Sequence, residues 1–246
     1  MNRLKDKIIV ITGGNGLLGR DLIDNVNGQG AFCINIDINH ETTEDLSSIK
    51  CDITNEDEIK KCVDRIIDKY AKIDGLINNA YPKTKDWGNK FEDISFISWQ
   101  KNVDWQLNSY FCLTQHVVKF MVQREFGSII NMSSVYGLVG PDFTVYDGTA
   151  MTMPAAYAAI KGGLVNFTRY LASYLGKSNI RVNAICPGGI FDNQNPIFVD
   201  NYNKKVPMRR MGFPKDISPA AVFLLSDESS YITGQSLAID GGWTCI

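Results

Sequence analysis

The chain has 246 residues, 44% of them hydrophobic and 21% charged, enough for one large α/β domain with a substantial core. Its 25 Lys and Arg against 27 Asp and Glu leave a net charge of −2, so no basic field points to nucleic acid or an anionic membrane as partner. No apolar run approaches the ~18 residues of a membrane span, and MNRLKDK leads straight into a strand pattern without an apolar leader, so a cytoplasmic protein with a small-molecule substrate is expected.

The first apolar run, 7–12 (KIIVIT), reads as a strand and is followed at once by the glycine-rich GGNGLLG. Helix-like spacing of apolar residues then covers 17–26. Further strands are predicted at 32–37, 49–52, 73–78, 128–131, 181–185 and 237–239, with helices over 56–70, 97–124, 155–175 and 217–225. This alternation is the pattern of parallel strands joined by crossover helices, in a sheet covered on both faces. Three long loops, 81–95, 135–153 and 191–211, begin at or just after strand ends, where open α/β sheets bind ligands. The six cysteines, Cys33, Cys51, Cys62, Cys112, Cys186 and Cys245, form no CxxC pair and no ligand cluster beside His40 or His116. Reduced thiols and no metal are expected.

A glycine-rich turn between a buried-type strand and a helix suits a dinucleotide. Gly13 can turn tightly, Gly16 lets backbone amides approach a pyrophosphate, and Gly19 permits close helix-to-strand contact, while the helix N-terminus adds partial positive charge. Asp37 closes the next strand, 24 residues after Gly13. Its carboxylate can accept hydrogen bonds from ribose hydroxyls and would repel a 2′-phosphate, and Ile38, Asn39 and His40 offer no Arg or Lys to rescue one, so NAD is expected over NADP.

In PAAYAAIKGG, Tyr157 and Lys161 are four apart and therefore share one helix face. An ammonium beside a phenol favours the phenolate, which makes Tyr157 a candidate acid/base and Lys161 its tuner. That spacing is common in any chain of this size, and its surroundings decide the matter. Ser134 ends a strand in INMSS and could hydrogen-bond a substrate oxygen.

With TGGNGLLG, CDIT (51–54), NNA (78–80), INMSS, YAAIK, CPGG (186–189) and RMGFPKDISPAAVFLLSDESSYITGQSLAIDGG, the chain resembles the short-chain dehydrogenase/reductase family over essentially its whole length. The resemblance implies a single NAD(P)-binding domain, 1–246, built as a Rossmann-type doubly wound parallel sheet of about seven strands with helices on both faces. It implies Ser134, Tyr157 and Lys161 as catalytic groups. Cofactor contacts are implied for Thr12, Gly13, Asn15, Gly16, Leu17, Leu18 and Gly19 in the glycine turn, and for Asp37, Asp52 and Ile53 around the adenosine. Asn79, Ala80, Lys161, Pro187, Gly188 and Ile190 would surround the nicotinamide half. A homotetramer is also implied. Gln106 stands where the family usually has an Asn that holds a proton-relay water and is counted with the catalytic groups, serving by its longer reach or giving way to Asn108, and Asp192 stands where a Thr or Ser usually touches the nicotinamide carboxamide, with Asn193 able to compensate.

The stretches GPDFTVYDGTAMTMPAAY and GGIFDNQNPIFVDNYNKKVPMRRMG are similar to oxidoreductases of bacterial flagellin-modification and legionaminic acid gene sets, which implies an amino-sugar or sugar-acid substrate. The loops offer polar Lys83, Lys85, Asp142, Tyr146, Asp147, Asn193, Gln194 and Asn195 for such a ligand. Lys204, Lys205, Arg209 and Arg210 could grip a phosphate, and Tyr81, Trp87, Phe143 and Phe198 could close over a sugar ring. Two other readings stay open: a catalytically silent NAD-binding assembly protein, suggested by Gln106 and Asp192, and an epimerase or dehydratase with retained cofactor, suggested by the GxxGxxG spacing at 13, 16 and 19.

Overall fold

The computed structural model describes residues 2–246. Seven parallel strands form one sheet in the order β3-β2-β1-β4-β5-β6-β7. They are β1 (Ile8–Thr12), β2 (Phe32–Asp37), β3 (Ser48–Lys50), β4 (Gly75–Asn78), β5 (Gly127–Met132), β6 (Ile180–Pro187) and β7 (Ser236–Ile239). Every residue of β1, β4 and β5 is buried, as expected of parallel strands covered on both faces.

Among the described residues there are seven α-helices, α1 (Leu17–Gly28), α2 (Glu56–Tyr70), α3 (Phe96–Val103), α4 (Ser109–Arg124), α5 (Ala155–Leu175), α6 (Pro196–Lys205) and α7 (Pro214–Leu225), of which α1, α2, α4, α5 and α7 cover the sheet. Alternate strand residues serve the two faces. Val10, Ile34, Leu76, Ile129 and Val182 pack with residues of α2, α4 and α5. Ile9, Cys33, Ile77, Ile130 and Ile185, an odd number of positions away in the same strands, pack with α1 and α7 on the other side. The doubly wound, Rossmann-type sheet expected from the sequence is therefore present.

Two expectations are corrected. The continuous helix expected over 97–124 is divided by a π-helical turn, Asp104–Asn108, which carries Gln106 into the interior. Such a turn fits one more residue than an α-helical turn and so re-aims the side chains it contains. The loop expected over 191–211 contains α6, started by Asn195, whose Oδ1 accepts the Ile197 amide at 2.9 Å, with Pro196 in the first helical turn. The strands also differ by a few residues at their ends, so that Asp52 lies just past β3.

The chain leaves β3 at one edge and re-enters the sheet at β4, beside β1, so a crevice opens at the carboxyl ends of β1 and β4. At the opposite ends of the same strands, Asp74 is 4% exposed, and its carboxylate accepts the Ile8 amide at 2.8 Å, Lys72 at 2.9 Å and Arg124 at 3.0 Å. Burial raises the pKa of this carboxyl, but the three donors prevail and hold it below the usual Asp range. Its contribution to stability is complete above that range and fades as pH falls through the lowered value. Asp74→Ala leaves an amide and two cations without their acceptor, so urea unfolding at neutral pH should report a loss of about 3 kcal/mol, with a smaller difference from wild type in acid.

Candidate active site

β1 ends in Thr12, whose Oγ1 accepts the amides of Asn79 at 2.9 Å and Ala80 at 3.0 Å. The hydroxyl thus ties the end of β1 to the end of β4. Thr12 is fully buried and is not among the residues that line the crevice. Gly13 follows at φ +67°, and a Cβ there would lie 2.8 Å from Ala80 Cα, so the turn tolerates only glycine. A Cβ on Gly19 would lie 2.2 Å from the Gly13 carbonyl oxygen; this residue lets α1 close on the turn and likewise stays out of the crevice lining. Asn35, inside β2, accepts the Gly14 amide on Oδ1 at 2.9 Å and donates to Asn15 Oδ1. An Asn within the otherwise apolar FCINI was its sequence signal.

The crevice has a volume of about 810 Å³. Gly13, Asn15, Gly16, Leu17 and Leu18 line its floor, and Asp37, Asp52 and Ile53 one end. Asn79, Ala80, Pro187, Gly188 and Ile190 line the middle, with Ser134, Tyr157 and Lys161 along the other end. No side chain caps α1 at Gly16, so its first amides are available to an anion lying over the glycine turn. The Asn15 Nδ2 is buried without a partner at the same place. These free donors fit a pyrophosphate.

Asp37 accepts the Asn15 amide on one carboxylate oxygen at 3.1 Å and the Asn39 amide on the other at 2.9 Å. Each oxygen keeps a lone pair for a ribose hydroxyl. Among the described residues, the cations lining the crevice are Lys83 and Lys161, and no Arg accompanies Asp37.

Ser134 leaves the end of β5 in extended conformation, and its Oγ accepts the Tyr136 amide at 3.2 Å. Tyr157 and Lys161 lie one turn apart on α5. Lys161 is 5% exposed, and its ammonium donates to the Met132 carbonyl at 2.8 Å while standing 5.5 Å from the Tyr157 ring centre and 5.6 Å from that of Tyr81. The same β5 end is stitched to α5 again by Ser133, which donates to the Lys161 carbonyl at 2.8 Å.

Burial pushes the Lys161 pKa down to about 8. Burial also raises the Tyr157 phenol above its ordinary value, with the Ser134 hydroxyl acting in the opposite sense. The ammonium directs its hydrogen bond to the Met132 carbonyl, and burial is the largest influence on the phenol.

Gln106 does not reach the crevice. Its Nε2 donates to the Pro82 carbonyl at 2.9 Å, and its Oε1 is buried without a partner. Tyr81 is a lining residue whose role sequence reasoning left among the loop aromatics; it meets Tyr157 edge-to-face at 5.8 Å and Trp87 at 5.6 Å. Tyr202, from the unexpected α6, accepts the Gly189 amide at 2.6 Å and lines the crevice.

Of the polar loop residues, Lys83, Tyr146 and Gln194 line the crevice, and Asp192 with them. Asn193 does not, and the Gln194 side chain accepts the Asp192 amide at 2.8 Å and donates to the Ile190 carbonyl at 2.7 Å. Asp147 and Phe143 line a neighbouring cavity of about 600 Å³. Lys204, Lys205 and Arg210 are paired with Asp200, Asp142 and Asp216, which removes them as free phosphate grips. Asn195 is used as the cap of α6.

A family model described as enoyl-(acyl carrier protein) reductase matches residues 29–244. Post-translational flagellin modification protein A of Campylobacter coli is 36% identical over 98% of this chain and 99% of that protein. A 3-oxoacyl-(acyl-carrier-protein) reductase of Thermotoga maritima is 33% identical over 98% of each. A short chain dehydrogenase of Leptospira borgpetersenii, solved with bound NAD+, superposes with a TM-score of 0.90 at 36% identity, covering 99% of this chain and 94% of that one.

The buried ammonium has a measurable signature. Unfolded lysine holds its proton to about pH 10.4, whereas folded Lys161 releases it near 8, so its charge opposes folding below that value and the penalty lifts as pH rises between the two. In Lys161→Met, the thermal midpoint should lose this upward component relative to wild type in a melting series from pH 7 to pH 10.

Proposed function

The chain belongs to the short-chain dehydrogenase/reductase family, and on that premise we propose that it is an NAD-dependent oxidoreductase acting on an alcohol or ketone carbon of a sugar-like substrate. The observation that carries the reading is the convergence of Ser134, Tyr157 and Lys161 on the crevice that the glycine turn and Asp37 also line. A bound nicotinamide dinucleotide supplies the hydride donor or acceptor.

In this reading the chain's residues handle the proton and the geometry. Tyr157 gives its phenolic proton to the substrate oxygen during reduction, or takes it back during oxidation. Ser134 donates to the same oxygen and fixes its distance from the cofactor. Lys161 keeps a positive charge beside the phenol, and on binding of the cofactor it can also donate to the ribose of the nicotinamide half. The uncapped amides of α1 and Asn15 hold the pyrophosphate, and Asp37 accepts from the adenosine ribose.

The sugar-like substrate rests on two supports. One is the likeness to a flagellin modification protein over nearly the whole of both chains. The other is the polar set Lys83, Gln194, Asp192 and Tyr146 around the reacting end, where hydroxyls need hydrogen-bond partners. The neighbouring Met153, Pro154 and Phe198 are apolar, and with the likeness to an acyl-carrier-protein reductase they favour a 3-oxoacyl thioester as second reading. Exposed Phe111, Tyr170 and Tyr174 on α4 and α5 make those helices the faces through which a homotetramer would form.

Screening phosphorylated and nucleotide-activated amino sugars beside a 3-oxoacyl thioester, with NADH formation or loss as readout, separates the two substrate classes. With whichever substrate turns over, Tyr157→Phe should lower kcat by about 10²- to 10⁴-fold and leave NADH affinity within a few-fold; full activity of that variant removes Tyr157 from the mechanism. In fluorescence titrations wild type should bind NADH more tightly than NADPH, and Asp37→Ala should weaken NADH by about tenfold, the worth of a hydrogen bond to a charged group. Tighter NADPH binding by wild type contradicts the reading of Asp37.

A further inference from the structure

Away from the crevice, on the sheet face covered by α2 and α4, three unlike ligand atoms converge. The Glu56 carboxylate, the Cys112 thiol and His116 Nε2 all lie within 4.8 Å of one another. Cys112 and His116 are four apart on α4 and share one face, and Glu56 sits in the first turn of α2. His116 is 9% exposed, and its Nε2 is buried with no hydrogen-bond partner, 4.0 Å from Glu56 Oε1. An unsatisfied buried polar atom is costly. This one is aimed at the place where a carboxylate and a thiol also face.

We propose that Glu56, Cys112 and His116 form a binding site for a thiophilic divalent cation, zinc being the best fit, with water as fourth ligand. A carboxylate, a thiolate and an imidazole are each ordinary zinc ligands, and the set matches a three-protein-ligand tetrahedral site. Ligand atoms about 2.0–2.3 Å from one ion stand roughly 3.3–3.8 Å apart in a tetrahedron. The separations here close to that by a small movement, which the Glu56 side chain, 77% exposed, supplies by rotation. Cys112 is partly open to solvent and gives the ion a way in.

On binding, Cys112 releases its proton to solvent and no electron changes hands. The ion ties the first turn of α2 to α4. That turn also carries Glu58, whose carboxylate accepts the Asp52 amide at 2.8 Å, and Asp52 lines the crevice, so the two regions are joined through α2.

The test uses the whole protein, stripped with EDTA and titrated with Co²⁺ and then Zn²⁺. One cobalt per chain should produce a thiolate-to-cobalt charge-transfer band in the near ultraviolet, which zinc then abolishes. Cys112→Ser should remove the band. Because even outer-shell partners of a metal are worth about tenfold in affinity, loss of a ligand in His116→Gln or Glu56→Gln should weaken binding by at least that much. Glu56 is exposed, so its variant carries the comparison should either α4 variant fold poorly. The absence of a band at saturating cobalt overturns the proposal, as does a band that persists in Cys112→Ser, which would belong to another thiol such as the exposed Cys245. The readout is optical and independent of any oxidoreductase turnover.

Discussion

A lysine ammonium that cannot reach bulk water must be given an oxygen, and here the Met132 carbonyl at the end of β5 provides it at 2.8 Å. That requirement sets where α5 lies against the sheet. With Lys161 docked on the last residue of β5, Tyr157 one turn earlier faces the crevice, and Ser134, two residues beyond Met132, comes to the same side. Ser133 secures the arrangement from the opposite direction by donating to the Lys161 carbonyl. Helix position, phenol placement and serine orientation thus share one anchoring contact.

The two ends of the crevice are built differently. At the adenosine end the backbone dominates: a turn that only glycine can make, free amides at an uncapped helix start, and a carboxylate whose direction is set by two backbone donors. At the other end side chains dominate, with the lysine ammonium 5.6 Å from the ring centre of Tyr81 and 5.5 Å from that of Tyr157, and those rings packed edge-to-face on each other. Backbone donors confer affinity for a phosphate without regard to what is attached, whereas packed aromatic and polar side chains discriminate among reacting partners.

What could be read from the sequence follows from the range of the forces involved. Strand and helix identity depends on short-range periodicity, and the runs at 32–37, 56–70 and 155–175 match β2, α2 and α5. The glycine turn was legible because the backbone at Gly13 demands that residue type, and Asp37 because it closes the strand that follows. The π-helical turn at Asp104–Asn108 was not, since nothing in DWQLN departs from ordinary helical spacing. The helix α6 was legible in principle, from Asn195 and Pro196 together, but its ten residues bury few side chains and give a weak period. The pairing of Lys204 with Asp200, four residues back on α6, was legible in principle once that helix was recognised, whereas the pairing of Lys205 with Asp142 depends on tertiary position. The same is true of the balance at Tyr157, where desolvation is a property of the assembled fold.

The α6 segment has its own small core. Phe198, Tyr202 and Val206 pack with Val145, Tyr146 and Met211 as a cluster apart from those on the two sheet faces. Asn201 donates to the Asp147 carbonyl at 3.0 Å, and Lys205 pairs with Asp142 at 2.8 Å, so α6 and the 142–147 turn are fastened to each other. A roof that is packed against itself can exchange residues without loosening the floor. New ligands can then be accommodated by evolutionary drift in this patch at little cost to folding, while the chemistry underneath stays as it is.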